Sequence, residues 1–295
     1  MRTNKKPETS AVSAPLTAII AGGGRLPVEL ANALRAQDAP CYVVLLAGEV
    51  DHPEDFSGLP QTTLELEAAG GLLAHLKARN VKRVVFAGTV GRRPKWTRLR
   101  PILPILAVLP KLIRALSKGD DGLLRSLVEY LESHGIEVIG AHDILPDLLV
   151  PEGVHTKLRP GTSDKRDIDA ALEAALAIGA LDIGQAAVAI GGRAIALEGI
   201  EGTDGLLARV AELRNHGRIA GKSGGVLVKS VKPGQEWRTD MPGIGVKTVI
   251  GAAAAGLRGI AVVADSTLAM EFKELIKRAD ELGLFVVGLA PEKRN

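Results

Sequence analysis

Short aliphatic runs alternate with segments of helical periodicity along most of this 295-residue chain. The run LTAIIAGGG, residues 16–24, is typical of a strand that ends in glycines. The next segment, RLPVELANALRAQD, spaces its leucines and alanines as an amphipathic helix does. Strands and helices that alternate in this way predict right-handed βαβ units and a mainly parallel sheet. The expected fold class is therefore α/β, with a Rossmann-like N-terminal domain over residues 16–150.

The second half of the chain predicts a distinct α/β domain. The segment PEGVHTKLRPGTSD, residues 151–164, has no clear periodicity and is rich in proline, glycine and threonine, so we expect a linker there. Beyond it, AAVAIGGRAIAL is typical of a hairpin that turns at its two glycines, and further strands and helices follow within residues 165–295. Residues 1–15 contain basic residues but no long apolar segment, which favours a disordered tail over a signal peptide.

Composition restricts the kind of partner. Apolar residues make up 46% of the chain and aromatic residues only 3%, so we expect an aliphatic core and no base-stacking nucleic-acid module. The single cysteine, Cys41, allows no disulfide within the chain, as is usual in a reducing cytosol. A net charge of +3 is either solvated at the surface or suited to an anionic, phosphorylated substrate. We therefore expect a cytoplasmic protein with no nucleic-acid partner.

Two loops at the predicted carboxyl ends of N-terminal strands are candidate anion sites. AGGGRLP lets the backbone at Gly23, Gly24 and Leu26 approach a phosphate at the positive end of the following helix, although a tight structural turn accounts for the same residues. GTVGRRP follows another strand and offers Thr89 and Arg92, because ligands of open α/β sheets collect at the carboxyl ends of the strands. Solvated arginines on a surface loop are the alternative for this second segment.

Two acidic segments lie at predicted helix starts. In KGDDGLLR one aspartate, Asp120 or Asp121, suffices as an N-cap, and the other can bind ribose hydroxyls or a divalent cation. In EGTD, the residues Glu201, Thr203 and Asp204 place two carboxylates and a hydroxyl within four positions where the chain turns. Helix capping and ligand binding both remain open for these segments.

The segment KPGQEWRTDMPGIG, residues 232–245, mixes charges with prolines and glycines that helices and central strands disfavour, and it predicts a loop that holds charged groups in place. Lys229 from the preceding strand, with Gln235 and Arg238 from the loop, brings donors for oxygen atoms. Asp240 among these cations should stay ionised, which suits a magnesium ligand or an orienter of water better than a general acid. A salt-bridged structural loop is the alternative. Zinc chemistry is disfavoured, because the sequence contains no HExxH and no pair of CxxC motifs.

Several of these segments together resemble the LpxI-type UDP-2,3-diacylglucosamine pyrophosphatases. The resemblance covers residues 16–288, and the combination KPGQ…R.D.P.IG is its specific part. It is carried by LTAIIAGGGRLPVELA, KGDDGLLR, GAHDILPDLLVPEG, ALDIGQAAVAIGG, IEGTDGLLARVAELR and GGVLVKSVKPGQEWRTDMPGIGVKTVIGAAAAGLRGIAV.

This resemblance implies a Mg²⁺-dependent hydrolase that acts in the cytoplasm in lipid A biosynthesis. The implied reaction cleaves the pyrophosphate of UDP-2,3-diacylglucosamine into 2,3-diacylglucosamine 1-phosphate (lipid X) and UMP, with substrate held between two domains and water attacking the sugar-side phosphorus. The family's essential aspartate falls on Asp240, and the metal is expected on Asp240, shared with Asp204 or Glu201. The residues expected to bind substrate are Gly23, Gly24, Leu26, Thr89, Arg92, Asp120, Asp121, Gln185, Thr203, Lys229, Gln235 and Arg238.

The apolar segment PILPILAVLPKLIRAL, residues 101–116, is broken by three prolines and two cations and therefore predicts no membrane span. It suits an acyl-chain site or a peripheral contact with the inner-membrane surface, with ordinary packing in the interior as the alternative. A homodimer is also compatible with this family resemblance.

Two other functions stay open on the sequence alone. The strand–glycine–helix start and Glu49 after the second strand suit an NAD-dependent dehydrogenase, but Pro27 replaces the third glycine of the dinucleotide pattern. A non-catalytic nucleotide–lipid binding protein would need the same pockets without a metal-bound carboxylate.

Overall fold

A computed structural model describes residues 14–91, 120–219, 221–232 and 235–291 of the chain. The α-helices are α1 (Leu26–Ala36), α2 (Leu72–Ala78), α3 (Asp120–Ser133), α4 (Ala141–Ile144), α5 (Thr162–Ala180), α6 (Gly202–Leu213), α7 (Val246–Ala254) and α8 (Phe272–Glu281). The strands are β1 (Thr17–Ala21), β2 (Cys41–Leu46), β3 (Gln61–Leu64), β4 (Arg83–Ala87), β5 (Glu137–Ile139), β6 (Gly153–Val154), β7 (Ala186–Ala189), β8 (Ala194–Leu197), β9 (Val226–Lys229), β10 (Gly243–Ile244), β11 (Gly259–Val263), β12 (Leu268–Ala269) and β13 (Phe285–Leu289). Short 3₁₀-helices span Pro53–Phe56, Leu66–Gly71 and Pro146–Leu148.

The described chain divides into two compact units, with boundaries within α3 and again between β5 and α4. The first unit comprises residues 14–91 and 128–139, and the second comprises the other described residues. The segment 151–164, predicted as a linker, contains the edge strand β6 and the first residues of α5. Arg92, the apolar segment 101–116 and nearly all of the predicted tail lie outside the described residues.

The first unit is built on a parallel sheet with the strand order β3-β2-β1-β4-β5. From β1 the chain adds β2 and β3 on one side of the sheet and then β4 and β5 on the other side. The loops after β1 and β4 therefore lie at a topological switch point. The predicted α/β class with a mainly parallel N-terminal sheet is confirmed. Every residue of β1 and β2 is buried, and all of them are aliphatic except Thr17, Cys41 and Tyr42, as expected for a sheet covered on both faces.

The second unit is built on a mixed sheet with the strand order β6-β13-β11-β9-β7-β8. Its centre, β13-β11-β9, is parallel, whereas β6, β7 and β8 pair with antiparallel neighbours. The predicted hairpin joins β7 to β8, and it turns at Gly191 and Gly192, which both have positive φ angles of 67° and 75°. This left-handed pair is the backbone conformation that glycine allows in tight hairpins.

The alternation of side chains along β9 determines what the second unit buries on each face. Val226 and Val228 pack in the core on the face covered by α5, whereas Leu227 packs in the core formed with α6, α7 and α8. Because successive side chains of a strand point to opposite faces, Lys229 lies on the same face as Leu227. The sequence VLVK therefore delivers a lysine to the carboxyl end of a central strand, beneath three helices.

We predict that Gly259→Ala destabilises the second unit. Gly259 pairs with Phe285 in the neighbouring strand, and a Cβ atom at position 259 would lie 2.3 Å from Phe285 Cε2. Overpacking of this kind in a closed core costs roughly 1–3 kcal/mol of unfolding free energy, measurable by urea denaturation. Gly217→Ala is the matched control, because a Cβ there meets nothing within 4 Å. A loss below about 0.5 kcal/mol for Gly259→Ala would contradict the packing.

Candidate functional site

A polar cleft of about 450 Å³ opens in the second unit at the carboxyl end of β9. The starts of α6 and α7 and the residue before α8 line it, together with the end of β9. Helix N-termini carry unpaired N–H groups and the positive end of the helix dipole, so helix starts that line one cleft favour an anion there. The lining residues are Glu201, Gly202, Thr203, Asp204, Lys229, Gly243, Gly245, Val246, Lys247, Thr248 and Glu271.

Lys229 is the buried cation of this cleft, with only 7% of its surface exposed. Its Nζ donates to Thr203 Oγ1 at 3.0 Å and to the carbonyl oxygen of Gly243 at 2.9 Å. Burial lowers the pKa of the Lys229 ammonium, while the carboxylates of Glu198, Asp204 and Asp240 oppose that shift. The cleft therefore combines a lysine that is largely removed from water with nearby acidic groups.

Thr203 links this lysine to a second buried charge, Glu198. The Thr203 hydroxyl donates to Glu198 Oε1 at 2.7 Å, and the backbone N–H of Gln185 donates to Glu198 Oε2 at 2.8 Å. The side-chain carbonyl oxygen of Gln185 is itself buried and has no hydrogen-bond partner within the described parts of the chain. Sequence reasoning missed Glu198, although an acidic residue directly after the apolar strand AIAL was a usable signal.

Asp240 is held by the loop that carries it. Gln235 Nε2 donates to Asp240 Oδ2 at 2.7 Å, and Gln235 Oε1 accepts from the backbone N–H of Lys232 at 3.1 Å. Because Gln235 is buried, its amide has a fixed orientation and holds the carboxylate in one position. The structure thus brings together Gln235 and Asp240, which the sequence proposed as parts of one site.

Arg238, from the same loop, forms an ion pair with the neighbouring carboxylate of Glu236. Its Nε and Nη2 donate to the two oxygens of Glu236 at 2.7 and 3.0 Å, and this contact with Arg238 lowers the pKa of the Glu236 carboxyl. Trp237 packs against His142 in α4, with ring centroids 4.8 Å apart. The ion pair and the aromatic contact hold the consecutive residues 236–238 in place. Neither Glu236 nor His142 was singled out from the sequence.

The three predicted metal ligands differ in their surroundings. Glu201 Oε1 accepts a hydrogen bond from Arg209 Nη2 at 2.6 Å. Asp204 instead lines the cleft, and its negative charge, like that of Asp240, opposes the lowering of the Lys229 pKa by burial. In the part of the chain that the structure describes, no group of three or more histidine, cysteine, aspartate or glutamate residues could hold a metal ion.

In the first unit, the two predicted loops meet at the switch point of the sheet. The backbone N–H of Gly23 donates to the carbonyl oxygen of Thr89 at 2.8 Å, and Thr89 N–H donates back to Gly23 at 3.0 Å. The N–H of Gly24, however, donates to Asp51 Oδ2 at 2.8 Å. A phosphate at Gly24 would therefore have to displace a carboxylate. Leu26 is the first residue of α1.

Two further predicted residues lie at the start of α3. Asp120 and Asp121 are the first residues of that helix, and their side chains fall outside what the structure describes.

An apolar groove of about 330 Å³ lies between α6 and α7 and shares Asp204 and Lys247 with the polar cleft. Its other lining residues are Leu207, Ala208, Ala211, Ile250, Gly251, Ala254 and Ala255. Ile250 is 45% exposed, so the groove offers apolar surface to solvent directly beside the charged site.

Within the described ranges, every helix is too short or too polar to cross a bilayer.

Comparison with known proteins identifies the family. A solved structure described as an NAD-dependent epimerase/dehydratase from Methylobacillus flagellatus covers 95% of this chain and 88% of its own, but at 13% identity and a TM-score of 0.27 it supports no argument. The UDP-2,3-diacylglucosamine pyrophosphatase LpxI of Caulobacter vibrioides is 42% identical over 278 residues, covering 94% of this chain and 98% of that protein. The models of the LpxI N-terminal and C-terminal domains match residues 16–148 and 151–287. The chain therefore belongs to the LpxI family, as its motifs predicted.

Proposed function

We propose that this protein hydrolyses the pyrophosphate bond of UDP-2,3-diacylglucosamine, giving lipid X and UMP, as a step of lipid A biosynthesis. The observation that carries the proposal is the 42% identity, over nearly the whole of both chains, to a protein named for this activity. The match to both domain models supports it, because the N-terminal and C-terminal halves of the family are both present.

The polar cleft supports a diphosphate as the group that is bound. Hydrolysis of a pyrophosphate requires the negative charge on the non-bridging oxygens to be neutralised and the attacking water to be aligned. The N–H groups at the starts of α6 and α7 and the ammonium of Lys229 supply positive charge at fixed positions in the cleft. Fixed donors of this kind are effective because they need no rearrangement as the reaction proceeds.

Asp240 is the residue we assign to the attacking water. Its carboxylate is oriented by Gln235, so the position of its oxygens does not depend on the substrate. A carboxylate held in this way can accept a hydrogen bond from a water molecule and direct the oxygen lone pair towards phosphorus. Attack at the sugar-side phosphorus places the water oxygen in lipid X and leaves the bridging oxygen with UMP.

The side chains around the cleft fit Mg²⁺ as the cofactor. Mg²⁺ in phosphate-handling sites is commonly held by one or two carboxylates and by substrate oxygens, so a preformed cluster of three is not required. Asp240 and Asp204 would hold it, whereas Glu201 is engaged by Arg209. When bound, the ion supplies further charge neutralisation at the phosphate oxygens.

The apolar groove between α6 and α7 supports a substrate that carries acyl chains. It begins at Asp204 and Lys247, which also line the polar cleft, so a ligand with a charged part and an apolar part meets both surfaces in one place. Lipid X as the product, a homodimer and peripheral contact with the membrane surface belong to the same proposal.

The proposed reaction is tested directly with UDP-2,3-diacylglucosamine in ¹⁸O-labelled water. We expect UMP and lipid X in equal amounts, loss of turnover on chelation with EDTA, and recovery on addition of Mg²⁺. Mass spectrometry and ³¹P NMR should place the label in the phosphate of lipid X. Label in UMP would contradict attack on the sugar-side phosphorus, and substrate binding without UMP release would favour the non-catalytic nucleotide–lipid binding protein.

We predict that Asp240→Asn lowers kcat by roughly 10³-fold or more, because the amide donates a hydrogen bond where the carboxylate accepts one. The dissociation constant for substrate, measured by calorimetry, should change by less than about tenfold, since the binding donors of the cleft remain. Asp169→Asn, at an exposed position in α5, is the charge-matched control and should retain wild-type turnover. Near-normal turnover of Asp240→Asn would remove Asp240 from the mechanism.

A further inference from the structure

Glu198 is a buried carboxylate that the proposed mechanism leaves without a task. Only 5% of its surface is exposed, and its two oxygens accept hydrogen bonds from the Thr203 hydroxyl and the Gln185 backbone N–H. Neither donor carries a charge, and a buried carboxylate with neutral partners alone is unfavourable. The positive charge nearest to it along the hydrogen-bonded chain is the ammonium of Lys229, one residue removed.

The hydrogen bonds between these residues have a fixed direction. The Thr203 hydroxyl has one hydrogen, and Glu198 can only accept, so that hydrogen points towards Glu198. Thr203 Oγ1 therefore presents a lone pair to Lys229, which donates to it at 3.0 Å. The order is Lys229 to Thr203 to Glu198, and each bond favours a charged lysine.

Lys229 has one N–H group beyond its two contacts with Thr203 and Gly243. An ammonium has three N–H groups, and two of them are directed to Thr203 and to the carbonyl oxygen of Gly243. The third has no hydrogen-bond partner among the residues that the structure describes, and Lys229 is part of the cleft lining. The contacts with Thr203 and Gly243 thus determine where the third donor points.

We propose that Glu198 is a positioning residue that acts through Thr203 on Lys229, so that the ammonium stays charged and presents its third N–H to an anionic oxygen in the cleft. The identification of that oxygen with the diphosphate rests on the proposed function; the link from Glu198 to Lys229 does not. No contact between Glu198 and substrate is involved.

The surroundings of Lys229 single out Glu198 among the acidic groups near it. Burial lowers the pKa of Lys229, and Glu198 is the foremost of the three carboxylates that oppose this shift, ahead of Asp204 and Asp240. Asp204 lines the cleft, where ligands interact with its charge, whereas Glu198 is enclosed by protein. Glu198 therefore remains a counter-ion of the lysine whatever the cleft contains.

A double-mutant cycle tests whether Glu198 acts through the lysine. Glu198→Gln keeps the size of the side chain and removes its charge, and we expect it to lower kcat by about 10–100-fold, as loss of an orienting partner typically does, with KM changed less than about threefold. In a Lys229→Met background the same substitution should change kcat by less than about twofold. Equal effects of Glu198→Gln in both backgrounds would overturn the proposal. Glu212→Gln, at an exposed position in α6, is the matched control.

A second measurement needs no turnover. In protein labelled with ¹³C at lysine Cε, the Lys229 resonance is identified by its loss in Lys229→Met, and its pKa is followed by NMR. Loss of a neighbouring anion makes the ammonium easier to deprotonate, so Lys229 should titrate at lower pH in Glu198→Gln than in wild type or Glu212→Gln. An unchanged titration would overturn the proposal. The two proposals can fail separately. If Lys229 titrates at lower pH in Glu198→Gln but the wild-type protein releases no UMP, the proposed function is refuted and the role of Glu198 stands.

The variants Thr203→Val and Thr203→Ser test whether Glu198 acts on Lys229 through the Thr203 hydroxyl, and they do so without a substitution at Glu198. Valine removes the hydroxyl at nearly constant volume, whereas serine retains it, so only Thr203→Val should reproduce the lower titration of Lys229. If Lys229 titrates at the same pH in the two variants, the Thr203 hydroxyl does not transmit the effect of Glu198.

Discussion

The candidate site depends on keeping one ammonium charged where water has been largely removed. Transfer of a charged group into a protein interior costs several kcal/mol unless partners replace its hydration. Lys229 finds a hydroxyl at the start of α6, a carbonyl in β10 and, through the hydroxyl, a carboxylate after β8. These partners come from segments distant in sequence, so the site requires the mixed sheet and its helices to be in register. The requirement ties the chemistry of the cleft to the fold of the second unit.

The alternation of side chains along β9 places the lysine where these partners lie. Leu227 and Lys229 lie on one face of β9, and the first is enclosed by helices while the second emerges where those helices begin. Helix starts bring backbone N–H groups to the same edge, since helices that cross over from parallel strands begin at the carboxyl ends of those strands. A cation and aligned dipoles therefore reach one cleft.

The sequence could predict those features that depend on local pattern. Strand and helix periodicity predicted the α/β class and the parallel N-terminal sheet, and the glycine pair at 191 and 192 predicted the hairpin. The mixture of prolines, glycines and charges after Lys229 predicted a loop, and the structure places Gln235 beside Asp240 within it. The family could be recognised because its motifs are long and occur along nearly the whole chain.

Pairings between distant segments could not be predicted in the same way. Glu198 lies 31 positions before Lys229 in sequence, and only the antiparallel β7–β8 pair and the start of α6 bring it to the lysine. The contact of Asp51 with Gly24 and the pairing of Glu201 with Arg209 likewise arise from the folded chain, and each assigns a protein partner to a group that the sequence reserved for ligand. Local patterns identify candidate groups, but tertiary contacts determine which of them remain available.

The most direct measurement is a crystal structure of the Asp240→Asn protein with UDP-2,3-diacylglucosamine bound. We expect a non-bridging oxygen of the diphosphate within about 3 Å of Lys229 Nζ, with the helix starts of the cleft facing the same group. A diphosphate bound elsewhere, with Lys229 still enclosed by Thr203 and Gly243 and far from any phosphate oxygen, would contradict it.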